Sequence, residues 1–229
     1  MRGQVALGSL VLALLLAAAP ARAQHTGEAL LGDPARKNAL SLRVGIDPAL
    51  GFGLGYLRTL DIRAGGGSRR LGLHVDVAAI FGFSSWDISG GASLRLRQRR
   101  GLDVLTTADL RLKVAQNDVH TALVYGYAAA LRPGWFDRIF YVGLDLALRG
   151  TFAASVFHGA EYRRLFADVA DVTYLTDQLS FYAGAAAGVE IGGRVLLGAR
   201  FAWRFPRTFA TYAPYFLPYT IDVDLGLRF

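Results

Sequence analysis

Residues 219–229 read YTIDVDLGLRF, and this stretch decides the fold. Its apolar side chains occupy every second position, whereas threonine, aspartate, glycine and arginine fill the positions between them. In a β-strand successive side chains point to opposite faces, so the alternation gives one apolar and one polar face. The stretch therefore predicts a strand with hydrocarbon on one side and a polar interior on the other.

The same period of two recurs along the rest of the chain. Each segment that shows it is long enough to cross a membrane when tilted. The predicted strands are 39–47, 51–62, 70–83, 86–97, 102–114, 119–132, 139–153, 178–191, 194–205 and 219–229. We therefore predict an all-β fold, a single closed antiparallel barrel of ten strands. Eight strands is the alternative if either of the first two is misassigned.

The last strand also ends in a specific way. Its apolar face finishes on a C-terminal phenylalanine and consists of Tyr219, Ile221, Val223, Leu225, Leu227 and Phe229. This ending resembles the closing strand of the outer-membrane β-barrels of Gram-negative bacteria, which include small porin-like proteins. The resemblance implies that the barrel assembly machinery recognises this ending as an insertion signal. It also implies that outer-membrane lipids surround the protein.

The N-terminus indicates export. Arg2 precedes an apolar run from Val5 to Ala19, and Ala21-Arg22-Ala23 matches a cleavage site of the A-x-A kind. A transmembrane helix needs about 18 or more apolar residues, and this run is shorter. The predicted divisions are a cleaved signal peptide over 1–23, a periplasmic N-terminal segment over 24–38 and an outer-membrane barrel over 39–229.

The composition agrees with apolar residues that are spread along the chain rather than gathered in long segments. The chain of 229 residues is 53% hydrophobic and has no cysteine, yet after the N-terminal run no window is apolar enough for a spanning helix. Alternation disperses apolar residues in this way. The formal net charge is +7, but the arginines are scattered rather than gathered on one face with stacking aromatics. Nucleic-acid binding is therefore not predicted.

The connections between strands fall into two sets. One set is mostly tight and rich in glycine or arginine: 63–69, 98–101, 133–137 and 192–193. The other set contains the two longest connections, 156–177 and 206–216. Outer-membrane barrels have short periplasmic turns and longer extracellular loops, so this pattern places both termini in the periplasm.

The long extracellular loop, 156–177, contains an amphipathic stretch. Over 161–172 apolar residues recur at helical spacing, which predicts a short helix. Three roles stay open for it: a lid packed on the barrel mouth, a constriction folded into the lumen, and a contact surface for a partner.

Aromatic residues on the apolar faces predict two interfacial belts. The predicted outer belt is Tyr56, Phe83, Trp86, Trp203 and Phe205, and the predicted periplasmic belt is Trp135, Phe136, Phe140 and Phe229.

The polar faces of the strands carry charges of both signs. The predicted lumen charge network is Asp87, Arg97, Asp103, Asp109, Arg111, Lys113, Arg200, Asp222 and Asp224. If the turn at 98–101 joins a regular hairpin, Arg97 faces Asp103 and Asp87 faces Lys113, and a similar count brings Arg200 near Asp222. A ten-stranded barrel is narrow, so the ions either pair as a packed polar core or line a narrow selective pore. The packed core is favoured because an unpaired buried charge is costly.

Candidate catalytic groups are few. Lipid A deacylases of the outer membrane use a histidine and a serine close together, but His120 has no serine two residues away. His74, Asp76 and Ser93 supply a base, an acid and a nucleophile if Ser93 lies opposite Asp76, although mid-barrel burial would exclude a substrate. No metal-ligand spacing or nucleotide-binding fingerprint appears. We predict no catalytic residue, no metal and no cofactor.

Three functional interpretations follow. The favoured one is a non-enzymatic outer-membrane barrel with a narrow or plugged charged lumen, in a porin-like or structural role. The second is an accessory barrel that anchors an envelope-spanning complex, such as secretion or surface-motility machinery, through other envelope proteins. The third is a barrel enzyme that hydrolyses lipid or peptide.

Overall fold

The computed structural model describes residues 36–46, 50–64, 67–80, 85–97, 102–116, 119–137, 139–166, 169–206 and 218–229. They form an all-β antiparallel barrel in which every strand is hydrogen-bonded to two neighbours. The strands are β1 Asn38–Ile46, β2 Leu50–Ala64, β3 Gly67–Ile80, β4 Ser85–Arg97, β5 Leu102–Gln116, β6 His120–Phe136, β7 Phe140–His158, β8 Val172–Ile191, β9 Val195–Pro206 and β10 Tyr219–Arg228. The predicted ten-stranded closed barrel is confirmed. The predicted signal peptide, and the N-terminal segment as far as residue 35, lie outside the described residues.

The terminal strand closes the barrel. β10 pairs with β1 through a register that includes Arg43 opposite Asp224. At the end of this ladder Asn38 and Phe229 exchange backbone hydrogen bonds of 3.2 and 3.0 Å. We call the end that holds these two residues the periplasmic end and the opposite one the extracellular end, after the predicted orientation.

The barrel has an apolar outside and a polar inside. Along β10 exposed and buried residues alternate, with Val223 and Leu225 exposed while Asp222 and Asp224 are buried. Exposed and buried residues also alternate through β1 to β3, where the exposed positions are mostly apolar and the buried ones include glycines and polar residues such as Gly53, His74 and Asp76. A soluble barrel buries its apolar face, so this inversion suits a barrel surrounded by hydrocarbon.

The turn predicted over 133–137 is wrong, because β6 continues to Phe136. Its ladder with β5 runs through Val104 opposite Pro133. On the β7 side the regular pairing passes from Leu131 opposite Leu146 to Gly134 opposite Gly143. Proline has no backbone N–H to donate, so it is tolerated where one ladder is interrupted.

The predicted loop 156–177 is too long, because its two ends are strand. β7 runs to His158 and β8 begins at Val172, with Val156 paired to Val172 beyond an irregularity between Thr151 and Ala153. The connection that remains, 159–171, carries the short helix α1, Ala160–Leu165. This helix covers only part of the predicted stretch 161–172. In the described part of the chain no helix has the length and apolarity to cross a membrane.

Gly91 on β4 provides a test of the strand packing. It lies directly between His74 on β3 and Asp109 on β5, and a Cβ added there would sit 2.9 Å from the Asp109 Cα and against the Ala108 carbonyl oxygen. Overpacking of this kind typically costs about 1–3 kcal/mol. We expect Gly91→Ala to lower the unfolding temperature. The measurement is the temperature at which samples, heated stepwise before loading, lose the mobility of the folded barrel on a denaturing gel.

The neighbouring residue is a matched control for that substitution. A Cβ on Gly90 would meet only ordinary contacts, at 3.7 Å from the His74 carbonyl oxygen and 3.8 Å from the Val75 side chain. Gly90→Ala should therefore leave the transition almost unchanged. Equal losses in both variants would contradict this account of the packing.

Candidate functional site: the charged lumen

The structure brings most of the predicted network into the barrel interior. The β4–β5 register pairs Arg97 with Asp103 and Asp87 with Lys113, and the β9–β10 register pairs Arg200 with Asp222. These are the predicted registers. The buried members are Asp87, Asp103, Asp109, Lys113, Arg200, Asp222 and Asp224. Arg111 is half-buried, and the Arg97 side chain is outside the described part of the structure.

Several ion pairs connect diagonal rather than directly opposed residues. Arg200 Nη2 contacts Asp222 Oδ2 at 2.6 Å, between residues that face each other. By contrast, Asp87 is bound by Arg111, and Asp103 by Arg95 at 2.5 Å. Inward side chains lean along the strand, so a long arginine can reach a carboxylate one step away on the same face.

Further charged or titratable residues, outside the predicted network, also link strands. Those that are buried include Arg43, His74, Asp76, Arg132 and Asp145. Arg43 Nε contacts Asp224 Oδ1 at 3.0 Å, and Arg132 Nε contacts Asp145 Oδ1 at 2.6 Å. The alternation in the sequence already indicated that these side chains point inward. The partner of each depends on the strand register, which the sequence does not supply.

Three of these links cross over an intervening strand. Arg43 on β1 lies 3.9 Å from Asp76 on β3, across β2. His74 Nε2 on β3 lies 2.5 Å from Asp109 Oδ1 on β5, across β4. Arg200 on β9 lies 3.5 Å from Asp145 on β7, across β8. Each contact ties together two strands that share no backbone hydrogen bonds.

The strand that is crossed carries glycine at the crossing point. Gly53 and Gly55 on β2 face Arg43 and Asp76. Gly91 on β4 faces both His74 and Asp109. On β8, Gly184 faces Asp145. A Cβ on Gly55 would meet the Asp76 carboxylate and would lie 2.6 Å from Ser41 Oγ, so a glycine is needed for the acid to lie against the wall.

The charged groups of the midsection are almost inaccessible to water. Their exposed fractions are between 0% and 5%, and the group comprises Arg43, Asp76, Asp109, Asp145, Arg200, Asp222 and Asp224. A water-filled channel would leave the side chains that line it exposed. At this level the described charged side chains are therefore not exposed to a water-filled channel.

The structure does not assemble the trio that was weighed as a catalytic candidate, His74, Asp76 and Ser93. Asp76 faces Ser89 rather than Ser93, and His74 faces Gly91. The connection 81–84 sets this register four residues away from the expected one, and an even shift keeps every side chain on its predicted face. His74 instead contacts Asp109, and Ser93 Oγ donates to the Gly72 carbonyl oxygen at 3.5 Å.

Helix α1 packs on two inward-facing histidines at the extracellular mouth. The Tyr162 ring centroid lies 4.8 Å from that of His120 and 5.2 Å from that of His158. Asp171 fixes the other end of the connection, because it accepts the His158 backbone N–H at 3.0 Å and both its oxygens contact Arg163 Nη2 at 2.7 Å. Of the three roles left open for this loop, the geometry matches a lid.

The same contacts determine how the lid responds to acid. The His158 N–H and then the Arg163 guanidinium hold the pKa of Asp171 below its ordinary value, because both favour the carboxylate. A group with a lowered pKa stabilises the folded state above its ordinary pKa and loses that contribution as the pH falls through the lowered one. The anchor at Asp171 therefore persists at mildly acidic pH.

Aromatic side chains on the outer surface lie near both ends of the barrel. Trp86, Trp203 and Phe205 are exposed near the extracellular end, and Trp135, Phe140 and Phe229 near the periplasmic end. Phe83 is outside the described residues.

Two of the belt assignments are wrong. Tyr56 lies at the periplasmic end, where its hydroxyl donates to Asn38 Oδ1 at 2.7 Å, because the stagger of β1 brings Asn38 level with Arg58. Phe136 faces inward, with its ring centroid 5.9 Å from that of Tyr141.

A closed barrel with an apolar exterior and a charged interior is a transmembrane β-barrel, since closure satisfies every backbone group within the wall. No protein-family model matches the sequence, and no curated protein matches it significantly. Among solved structures the chain is similar to the outer membrane protein Omp33 of Acinetobacter baumannii, with a TM-score of 0.37 and 12% identity over 85% of this chain and 98% of that one. A likeness of this degree carries no functional information.

A substitution of Arg200 tests the contribution of the lumen ion pairs to stability most directly. It contacts both Asp222 and Asp145 and is buried, so Arg200→Met leaves two carboxylates without this partner. Removing one partner of a buried ion pair costs about 3–5 kcal/mol. The loss should appear as a lower urea midpoint for unfolding from lipid vesicles. Arg163→Met, which removes an exposed ion pair on the lid, should cost at most about 1 kcal/mol. Similar losses in the two variants would exclude a special role for the lumen pairs.

Proposed function

We propose that this protein is a non-enzymatic barrel of the Gram-negative outer membrane whose lumen is closed at mid-height by its own ion pairs. Its role would be structural, or porin-like only after a change that opens the network. One observation carries the proposal: the charged side chains of the midsection are between 0% and 5% exposed.

The energetics of the network favour a stably closed lumen. A passage would require Arg200 to leave Asp222 and Asp145, or Arg43 to leave Asp224 and Asp76. Both arginines are buried, so each would have to separate from its partners in a medium of low dielectric constant. Breaking buried pairs of this kind costs several kcal/mol each. Thermal fluctuation alone would open such a lumen only rarely.

The surroundings of the histidines support a non-enzymatic role. His74 and Ser93 are buried within the midsection, where a lipid or peptide substrate has no path to them. His120 and His158 lie at the mouth, but their rings pack against each other and against Tyr162 of the lid. A catalytic base needs hydrogen-bond reach to a substrate proton, and these rings are engaged in packing contacts.

The proposal includes the membrane that surrounds the barrel and the route by which the chain reaches it. An exposed aliphatic wall with aromatic residues near both ends suits a bilayer. Export through the signal peptide over 1–23, and insertion by the barrel assembly machinery through the strand that ends at Phe229, are part of the proposal. The pairing of Phe229 with Asn38 supports the idea that the recognised strand is also the one that completes closure.

Single-channel recording tests the closed lumen. We expect the wild-type barrel to show no stable conductance steps in planar bilayers. In a fourfold variant, serine replaces Arg132, Asp145, Arg200 and Asp222. The variant loses two ion-paired cations and two anions, so its net charge is unchanged, while its side chains fill less of the lumen. This variant should show defined steps, because water can occupy the vacated space.

The control for this recording removes a charged pair elsewhere. Arg163→Ser combined with Asp171→Ser deletes the lid ion pair and leaves the midsection intact, so it should stay silent. Ion-selective steps from the folded wild-type barrel would disprove the closed lumen.

A second candidate function, an anchor for an envelope-spanning complex, is favoured by the periplasmic end of β2 and β3. β1 begins opposite Arg58, whereas β2 continues to Ala64 and pairs there with β3. Arg58 and Arg69 are exposed on this hairpin. Arg99 and Arg100, in the arginine-rich connection 98–101, lie outside the described residues.

Pull-down from solubilised envelopes tests the anchor. Arg58→Glu combined with Arg69→Glu should abolish the capture of a periplasmic or inner-membrane partner, because the charge of the hairpin is reversed. Arg163→Glu combined with Arg164→Glu, on the exposed lid helix at the other end, should leave capture intact. Unchanged capture after reversal at the hairpin would count against this role.

A further inference from the structure

The outer wall of the barrel carries charge on one hairpin. Among the outward positions of the strands whose side chains the structure describes, most are apolar and the charged ones are Arg58 and Arg69. Both lie on the β2–β3 hairpin and both are exposed. A charge that faces hydrocarbon is costly unless it lies at the membrane interface. The level of Arg58 along the barrel axis therefore determines what this side chain can contact.

Arg58 lies in the same row of the wall as the C-terminus. Phe229 exchanges backbone hydrogen bonds with Asn38, and Asn38 faces Arg58 in the register of β1 and β2. Phe229 is exposed among the aromatic residues near the periplasmic end, and such residues mark the level of the lipid headgroups. This row therefore places Arg58 near the headgroups of the periplasmic leaflet.

The direction of the Tyr56 side chain indicates the same level. Tyr56 faces Leu40 in the register, yet its hydroxyl donates to Asn38 Oδ1, one step along the same face toward the periplasmic end. A tyrosine at a membrane interface keeps its ring in the apolar layer and points its hydroxyl to the polar one. The boundary therefore passes between the Tyr56 ring and Asn38. Arg58, the next residue on this face, lies on the polar side.

The acid of the same hairpin is engaged on the other face of the wall. Asp61 lies 3.7 Å from Lys37 Nζ and 3.7 Å from Arg70 Nε. Because successive side chains of a strand point to opposite faces, Asp61 and Arg58 project to opposite sides of β2. The outward neighbours of Arg58 in the register are Asn38 and Leu73, which carry no charge. The guanidinium of Arg58 is thus presented to the membrane surface.

We propose that Arg58 and Asn38 bind the phosphate of an anionic phospholipid in the periplasmic leaflet. A planar guanidinium can donate two parallel hydrogen bonds to phosphate oxygens. Tyr56 orients Asn38, because Asn38 Oδ1 accepts the tyrosine hydroxyl and the amide nitrogen is then directed to other acceptors. On the extracellular side of the site the wall is apolar, with Leu54 and Val75 exposed, which suits the acyl chains of the same lipid.

The site separates the roles of the two arginines on the hairpin. Arg69 precedes Leu73, the register partner of Arg58, by four residues, which is about 13 Å nearer the turn along β3. Arg69 therefore lies farther from the apolar layer, where a periplasmic protein could contact it. The lipid site requires the membrane placement and orientation of the proposed function, but it does not depend on whether the lumen is closed.

Lipid capture by the full barrel in detergent tests the site. The folded protein is mixed with phosphatidylglycerol and phosphatidylcholine that carry identical acyl chains, and native mass spectrometry counts the bound lipids. We expect wild type to retain phosphatidylglycerol about fivefold over phosphatidylcholine, since one basic residue near an anionic surface contributes a preference of this order. Arg58→Gln should remove the preference and Asn38→Ala should weaken it.

Two arginine variants serve as controls of equal charge. Arg164→Gln, on the exposed lid helix, should retain the full preference, and Arg69→Gln should retain most of it. Equal retention of the two lipids by wild type, or equal losses in Arg58→Gln and Arg164→Gln, would overturn the site.

Two further measurements distinguish the lipid from other ligands. Inorganic phosphate in excess should not displace phosphatidylglycerol, because the acyl chains contribute to binding; displacement would assign Arg58 to a free anion and overturn the lipid site. An Arg58→Gln barrel that keeps the lipid preference but loses an envelope protein in pull-down would assign Arg58 to that protein instead. A wild-type barrel that does not insert into vesicles of either lipid would contradict the proposed membrane placement, whereas an inserted barrel without lipid preference would contradict the lipid site alone.

Discussion

The structure depends on a set of buried ion pairs, each of which joins two strands over the inner face of the strand between them. Arg43 to Asp76, His74 to Asp109 and Arg200 to Asp145 each skip one strand, and the skipped strand carries glycine at the crossing. Backbone ladders connect only neighbouring strands, so these side-chain contacts link each strand to the next but one. Each carboxylate lies against a glycine, which leaves room for the contact on the inner face of the wall.

Much of the fold was predictable because a transmembrane wall imposes a strict period of two. The parity of Asp222 and Asp224, the strand count and the β4–β5 register all follow from alternation and a short turn. The ion-pair partner of each charged side chain was harder to predict from the sequence. Asp103 also binds Arg95, two residues from its register partner Arg97, because an arginine can reach a diagonal neighbour and alternation does not encode the lean of a side chain.

The predictions that were wrong also have local causes. Pro133 looks like a turn residue, yet its missing N–H falls where the β6–β7 ladder is interrupted, while pairing with β5 continues. The β3–β4 register could not be read because nothing in 81–84 specifies how the turn closes. Glycines opposite aspartates, such as Gly91 opposite Asp109, are a sequence signal that could have located the strand-crossing contacts once one register was known.

The described residues place two kinds of contact along the barrel axis. Aromatic contacts of Tyr162 with His120 and His158 lie at one end, and the buried ion pairs of the midsection lie below them. Under the proposed function these ion pairs keep the lumen closed.

Chemical accessibility of the midsection tests the central claim most directly. The chain has no cysteine, so Ala202→Cys introduces a single thiol at an inward position that is 1% exposed, and Ala160→Cys on the exposed lid helix serves as the reference. A charged, water-soluble thiol reagent should modify the lid cysteine quickly and leave Ala202→Cys unmodified in the folded barrel until it is denatured. Comparable rates at the two positions would contradict a closed lumen.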